Sequence, residues 1–314
     1  MARTDLTKAL LSRFERLSGQ RQNWETHWQE VADFMMPRKS DVTKKRSRGD
    51  KRMELIFDSS PLQALELLAA SLHGMLTNPS TPWFTLRFKN QQVDNEDEAK
   101  LWLESATDAM YTAFNRSNFQ QEIFELYHDL ITFGTAAMFI EEDDEDFIKF
   151  STRHIDEVYI AENDKGRIDT IYRRFKLSAR GLVQKFGEAV SQDIVAMEKK
   201  DPYKEIEIIH AVYPRSDFDP TKRDTKNMPF ESVYFEYKNG NELSVSGFKE
   251  FPFVVPRYLK ASHEIYGRSP AMTALPDVKM LNEMAKTTIK AAQKQVDPPL
   301  LVPDDGFLLP VRTV

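Results

Sequence analysis

The sequence predicts an α+β fold: mainly helical up to about Gly134, β-rich through the middle, and helical again from Ser269. Three observations carry that expectation. Apolar residues recur every three to four positions in the first part. At "AAMFIEEDDEDFIKF" the pattern shifts to short apolar runs flanking polar tips, and at "YGRSPAMTALPDVKMLNEMAKTTIKAAQKQ" the helical period returns.

Leu6, Leu10, Phe14 and Leu17, followed by Trp24, Trp28, Val31 and Met35, predict two helices, or one interrupted at Gly19, ended by Pro37. In "SSPLQALELLAASLHGML" the expected N-cap is Ser60 and Pro61 takes the first helical position, ahead of a stripe of Leu65, Leu68, Leu72 and Leu76. "WFTLRF", Trp83 to Phe88, alternates like a half-buried strand. A helix from about Asn95 to Arg116 should turn Trp102, Ala106, Met110 and Ala113 inward, and another should run from Asn118 toward Gly134.

The six acids Glu141 to Asp146 form the expected tip of a hairpin. "EVYIAENDKGRIDTIYRRF" reads as a second hairpin turning at Gly166, and "LSARGLVQKFGEAV" as a small helix. "EIEIIHAVYP" and "SVYFEYK" alternate as antiparallel strands across a polar loop from Ser216 to Asn227. The final helix should be capped by Ser269 with Pro270 at its first turn. Its apolar seam is Met272, Leu275, Val278, Leu281, Ala285, Ile289 and Ala292, with a kink or restart at Pro276.

The 314 residues, 41% apolar, suffice for about two domains. With no cysteine, disulfides, thiolate metal sites and a cysteine nucleophile are excluded. No signal peptide opens the chain and no run of 18 apolar residues occurs, so the expectation is a protein of the cytoplasm or of a particle assembled there, without a membrane. A net charge of −6 argues against coating nucleic acid by bulk charge.

Charge is nevertheless concentrated locally. From Arg38 to Arg52, eight Lys or Arg face only Asp41 and Asp50, and Lys44, Lys45, Arg46, Arg48, Lys51 and Arg52 make a candidate polyanion-binding loop or an ordinary solvated one. On the last helix, Lys286, Lys290 and Lys294 repeat at i, i+4 and i+8 with Lys279 one heptad earlier, a basic line beside the apolar seam. In a ring of identical subunits this line would become stacked rings of positive charge around a channel.

Catalytic patterns fail. The closest glycines, Gly181 and Gly187, do not match the spacing of either nucleotide-binding loop. "GRSPA" imitates a nucleophile elbow, but Pro270 lacks the N–H that would donate to an oxyanion. The six histidines are isolated, so neither metal nor cofactor is expected. Glu141 to Asp146 could hold a divalent ion for nuclease chemistry, although neighbouring acids on a strand tip point to opposite sides. The competing readings are therefore a nucleic-acid-binding protein using residues 38–52, and a metal-dependent nuclease.

The combination and order of "WETHWQEVADFMMPRKSD", "KRMELIFD" running directly into "SSPLQALELLAASLHGMLTNPSTPWFTLRF", "ITFGTAAMFIEED", "VYIAENDKGRIDTIYRRFKLSARGLVQKFG" and "YGRSPAMTALPDVKMLNEM" resembles the head-to-tail connecting (portal) proteins of short-tailed bacteriophages. The resemblance implies a non-enzymatic, usually dodecameric ring at one capsid vertex of the virion. Double-stranded DNA would pass through it, and terminase, a tail adaptor, and the major capsid and scaffolding proteins would be its partners. It further implies a wing over 1–150, a clip-containing region over 151–258, and a stem helix with the start of a channel loop over 259–314. Portal proteins of this kind are longer, so the channel loop, the rest of the wing and the crown are expected to be missing here.

Overall fold

The computed structural model describes residues 5–299 apart from Arg48, Asn95, Pro220 and Arg223. Helix α1, Asp5–Met35, is one uninterrupted element: Gly19 lies within it with open space where a side chain would stand, so the expected break does not occur. Its buried stripe serves two cores in succession. Leu10, Leu11 and Phe14 enter one, and Trp28, Val31, Ala32 and Met35 enter another. Between them the buried Arg21 donates to the carbonyls of Ile155, Asp156 and Val158 at 2.8, 2.8 and 2.5 Å, fastening the helix to a turn more than a hundred residues later.

Helix α2, Ser60–Leu76, starts one residue earlier than expected, with Ser59 at the cap. The segment Trp83–Phe88 belongs to no sheet, contrary to the sequence expectation. A short helix α3, Gln91–Asp94, separates it from α4, Asp97–Arg116, against whose side chains it lies. The amides of Trp83 and Phe84 donate to the Tyr111 hydroxyl at 2.6 and 2.7 Å, and that hydroxyl donates to the Phe84 carbonyl. Side chains thus supply the partners that a neighbouring strand would have supplied. The inward face of α4 is Leu103 and Thr107, not the expected one; Trp102 is 62% exposed.

Helix α5, Phe119–Phe133, ends at Gly134, whose φ of 76° is the left-handed cap a glycine adopts without strain. The chain then enters β1, Ala137–Asp143, and β2, Phe147–Arg153, an antiparallel hairpin around the acidic tip. Strands β3, Val158–Glu162, and β4, Ile168–Ser178, form the second hairpin. Helices α6, Ala179–Phe186, and α7, Gln192–Lys200, follow, then β5, Glu205–Pro214, β6, Phe230–Glu236, β7, Glu242–Phe248, and β8, Phe253–Val254. The large sheet is the antiparallel meander β3-β4-β5-β6-β7; the small one is β2-β1-β8. Period-two alternation splits the large sheet cleanly. Tyr172, Ile209, Ala211, Val233 and Phe235 pack on the start of α1, whereas Ile171 and Val212 join the main core and Phe175, Ile208 and Leu243 join a third cluster beneath α6 and α7.

Helix α8, Pro270–Val296, is capped by Ser269, whose Oγ accepts from the Met272 amide at 3.0 Å and donates to the Thr132 carbonyl at the end of α5. It runs continuously through Pro276. The proline sits on the exposed side, where its missing N–H costs one backbone bond without breaking the packed face. The main core extends from Trp28 to Val278 and takes members from α1, α2, α5, both sheets and α8.

Candidate nucleic-acid interface

Two basic features need to be placed, and the structure treats them differently. The loop after α1 is held against the body by ion pairs within the chain. Lys39 meets Asp129 at 2.5 Å and Glu125 at 2.6 Å, and Arg38 meets Glu125 at 2.9 Å. Lys44 and Arg46 both reach Asp33, Lys45 reaches Asp156 at 2.7 Å, and Arg52 reaches Asp41 at 2.6 Å. Gln29, buried on α1, donates to Asp33 and to the Ser40 carbonyl and accepts from the amides of Thr43 and Lys44. The backbone of this stretch is thereby folded into a strap. Lys51 is exposed, and Arg48 lies outside the described residues.

The electrostatics of the strap follow from burial and pairing. Burial pushes the Asp129 carboxyl up against the pull of Lys39. For Glu125, burial would do the same, but Lys39 and Arg38 hold it below its ordinary value. His154, in the turn before β3, is lowered by burial yet ends raised, because Asp156, 2.8 Å from its Nδ1, and the Asp129 carboxylate favour the charged ring; its Nε2 meets the Lys39 carbonyl at 3.0 Å. Asp156 resists its own burial through His154 and Lys45, and is held below the usual carboxylate range. Most of the basic loop therefore neutralises acids that the fold itself has buried.

The lysine line on α8 divides. Lys279 is paired with Glu30 of α1, and Lys286 with Glu283 at 2.7 Å, its ammonium 5.8 Å from the Phe57 ring centre. Asn282 is the last buried residue of the helix, bonded to the amide of Phe57 and the carbonyl of Leu55. Beyond it α8 projects for four turns, about 21 Å at 1.5 Å per residue. Lys290 and Lys294 stand there exposed, with no ion pair among the described residues. The seam residue Ile289 and Val296 on the same projecting stretch are 45% and 87% exposed, and Leu281 and Met284 are also open. The seam predicted as one continuous face is thus packed only as far as Val278 and bare after it.

The Asp143 carboxylate accepts the amides of Glu145 and Asp146, and among the described residues no three His, Asp or Glu groups converge as metal ligands. Nor is any described helix long and apolar enough to cross a membrane. Sequence reasoning missed the strap's partners Asp33, Glu125, Asp129 and Asp156, and also Gln29, because nothing local marks a polar residue on a helix as the anchor of a distant loop.

The sequence model of a family described as the bacteriophage head to tail connecting protein matches residues 7–313. A probable portal protein of Bordetella phage BPP-1 is 34% identical over 319 residues, covering 100% of this chain and 58% of that protein. A portal protein of Salmonella phage epsilon15 is 34% identical over 309 residues, covering 96% of this chain and 55% of its own length. The chain spans somewhat more than half the length of these curated relatives. A match this continuous runs through the helical start, both sheets and the projecting helix, and it describes a structural connector, not an enzyme: the chain belongs to the bacteriophage head-to-tail connecting protein family.

Proposed function

We propose that the chain is the subunit of a ring, dodecameric by analogy with its family, at one vertex of the phage capsid, through which double-stranded DNA enters and leaves. The observation that carries this reading is the family match over residues 7–313. Within it, α8 acts as the stem helix, its bare apolar end packing on neighbouring copies and Lys290 and Lys294 facing the passing phosphates without sequence readout. The helical part to about residue 150 serves as wing, and the strands from 151 to 258 include the clip. Terminase, a tail adaptor, and the major capsid and scaffolding proteins are the partners of such a ring, and the assembled virion is its location.

Light scattering followed by negative-stain imaging of the purified chain tests the proposal. Closed rings with a central hole are expected, either from this chain or once it is extended to the full length of its relatives. Monomers under both conditions would overturn it.

A further inference from the structure

The sequence holds a single Asn–Gly dipeptide, Asn239–Gly240, and the fold places it in the turn between β6 and β7. Tight turns between strands favour this pair because glycine takes a positive φ without strain, and Gly240 has one of 67°. The same pair carries a chemical liability. Glycine has no side chain to shield its backbone nitrogen, so that nitrogen can reach the side-chain carbonyl carbon of the asparagine before it.

In the closed turn that approach is blocked. The Gly240 amide donates to the Glu236 backbone carbonyl at 2.8 Å, and Asn239 Nδ2 donates to the Glu236 carboxylate at 3.3 Å. Glu236, only 2% exposed, is the hub of this corner. Its carboxylate also accepts from Asn241 Nδ2 at 3.1 Å and from the amide and Oγ of Ser191 at 3.1 and 3.0 Å. Ser191 is the N-cap of α7, so Glu236 takes the cap's own N–H as the acid of a capping box does, but from a different element. All four bonds come from amides and a hydroxyl, and the burial of this carboxylate rests on them.

We infer that Asn239 is a deamidation site, closed while the β6–β7 turn holds and open when it frays, whose product unlatches the start of α7 from β6. The Gly240 nitrogen, released from the Glu236 carbonyl, attacks the Asn239 side-chain carbonyl carbon. The bond from that carbon to Nδ2 breaks, and ammonia leaves with the proton that the Gly240 nitrogen gives up. Water then opens the resulting succinimide at either carbonyl, leaving aspartate or isoaspartate, so that asparagine and water have become acid and ammonia. A donor to Glu236 is thereby exchanged for a second carboxylate beside it, and like charges sharing one site oppose each other. Glu236 is driven from its bonds with Ser191, and the cap of α7 loses its partner. The inference does not depend on the ring proposed above.

The test incubates the full chain, native and unfolded in urea, at mildly alkaline pH and reads its peptides by mass spectrometry, which separates the amide from the acid at residue 239. Conversion at Asn239 is expected in both, at least about tenfold slower in the native chain, where the turn must first open. Asn241, followed by Glu242, is the internal control and should stay intact over the same period. Asn239→Asp, the direct product, should speed hydrogen exchange of the amides of residues 191–200 and lower Tm. Adding Glu236→Gln should recover most of that Tm, which loss of one hydrogen bond alone would not allow, and it keeps the comparison available where the single variant does not fold. No conversion in the native chain, equal rates in native and unfolded chain, or no recovery in the double variant overturns the inference.

Discussion

The Nε2 of His154 meets the backbone carbonyl of Lys39 at 3.0 Å across 115 positions of sequence, while the other ring nitrogen faces Asp156. The neutral ring can donate from Nε2 to the Lys39 carbonyl while Nδ1 accepts from the Asp156 amide at 3.1 Å; the imidazolium keeps the Lys39 bond and adds a charge-assisted one to the Asp156 carboxylate, so protonation strengthens the anchorage of the strap to the turn before β3. The folded pKa is raised above the ordinary 6.5. The contribution is therefore complete below that ordinary value and fades as pH rises through the folded one. The protection of the amides in residues 38–52, taken relative to their intrinsic exchange rate at each pH, should fall over that rise, and His154→Gln should show the lower protection throughout. Equal protection at both ends of the range in the unaltered chain would refute the dependence.

Removing the strap's cations should destabilise the body before it affects any ligand. Lys44→Ala with Arg46→Ala leaves the buried Asp33 with only Gln29. Urea unfolding is expected to show a loss of about 1–3 kcal/mol, the penalty for a buried polar group deprived of partners. Adding Asp33→Asn should recover part of that loss; an unaltered unfolding midpoint in the double variant would show that the pairs contribute nothing.

Gly134 and Gly267 touch backbone to backbone: a Cβ on Gly134, at its φ of 76°, would collide with the Gly267 carbonyl. Gly134→Ala should cost well over ~1 kcal/mol, because strain and collision act together. Gly187, at a φ of 55° with open space around it, is the control, and alanine there should cost only about 1–2 kcal/mol. Similar losses at both sites in urea titrations would refute the close approach.

On α8, Lys290→Glu with Lys294→Glu should leave Tm unaltered, since both residues are exposed and unpaired. DNA association by the assembled protein should weaken, with the slope of log K against log salt reduced by about two, one unit for each phosphate no longer neutralised. An identical slope would exclude these residues from the DNA path.

Much of this fold was legible because local chemistry decided it. Ser269 before Pro270 announced the start of α8, and the alternation of "EIEIIHAVYP" announced β5, since cap geometry and strand pleat act on nearest neighbours. Where the sequence misled, a tertiary partner had overruled the pattern. "WFTLRF" alternates as a strand does, but Tyr111 and Thr107 took its backbone bonds first. Trp102 has the composition of a core residue, yet the twist of α4 turned Leu103 inward in its place. The candidate basic residues were visible as charges, but not whether each was already spent. Asp33 sits near Lys44 in sequence, whereas Asp156 lies 111 positions from Lys45, beyond the reach of any local pattern.

The main core that binds Trp28 to Val278 also has a consequence for synthesis. As the chain leaves the ribosome, the apolar stripe of α1 emerges early, but the helix that closes over it arrives some 250 residues later. At about 5–20 residues per second that interval is roughly 12–50 s, long compared with the formation of any single helix or hairpin. During it the nascent chain holds an unfinished hydrophobic surface, which makes translation speed and chaperone supply determinants of how much of the chain reaches its folded state.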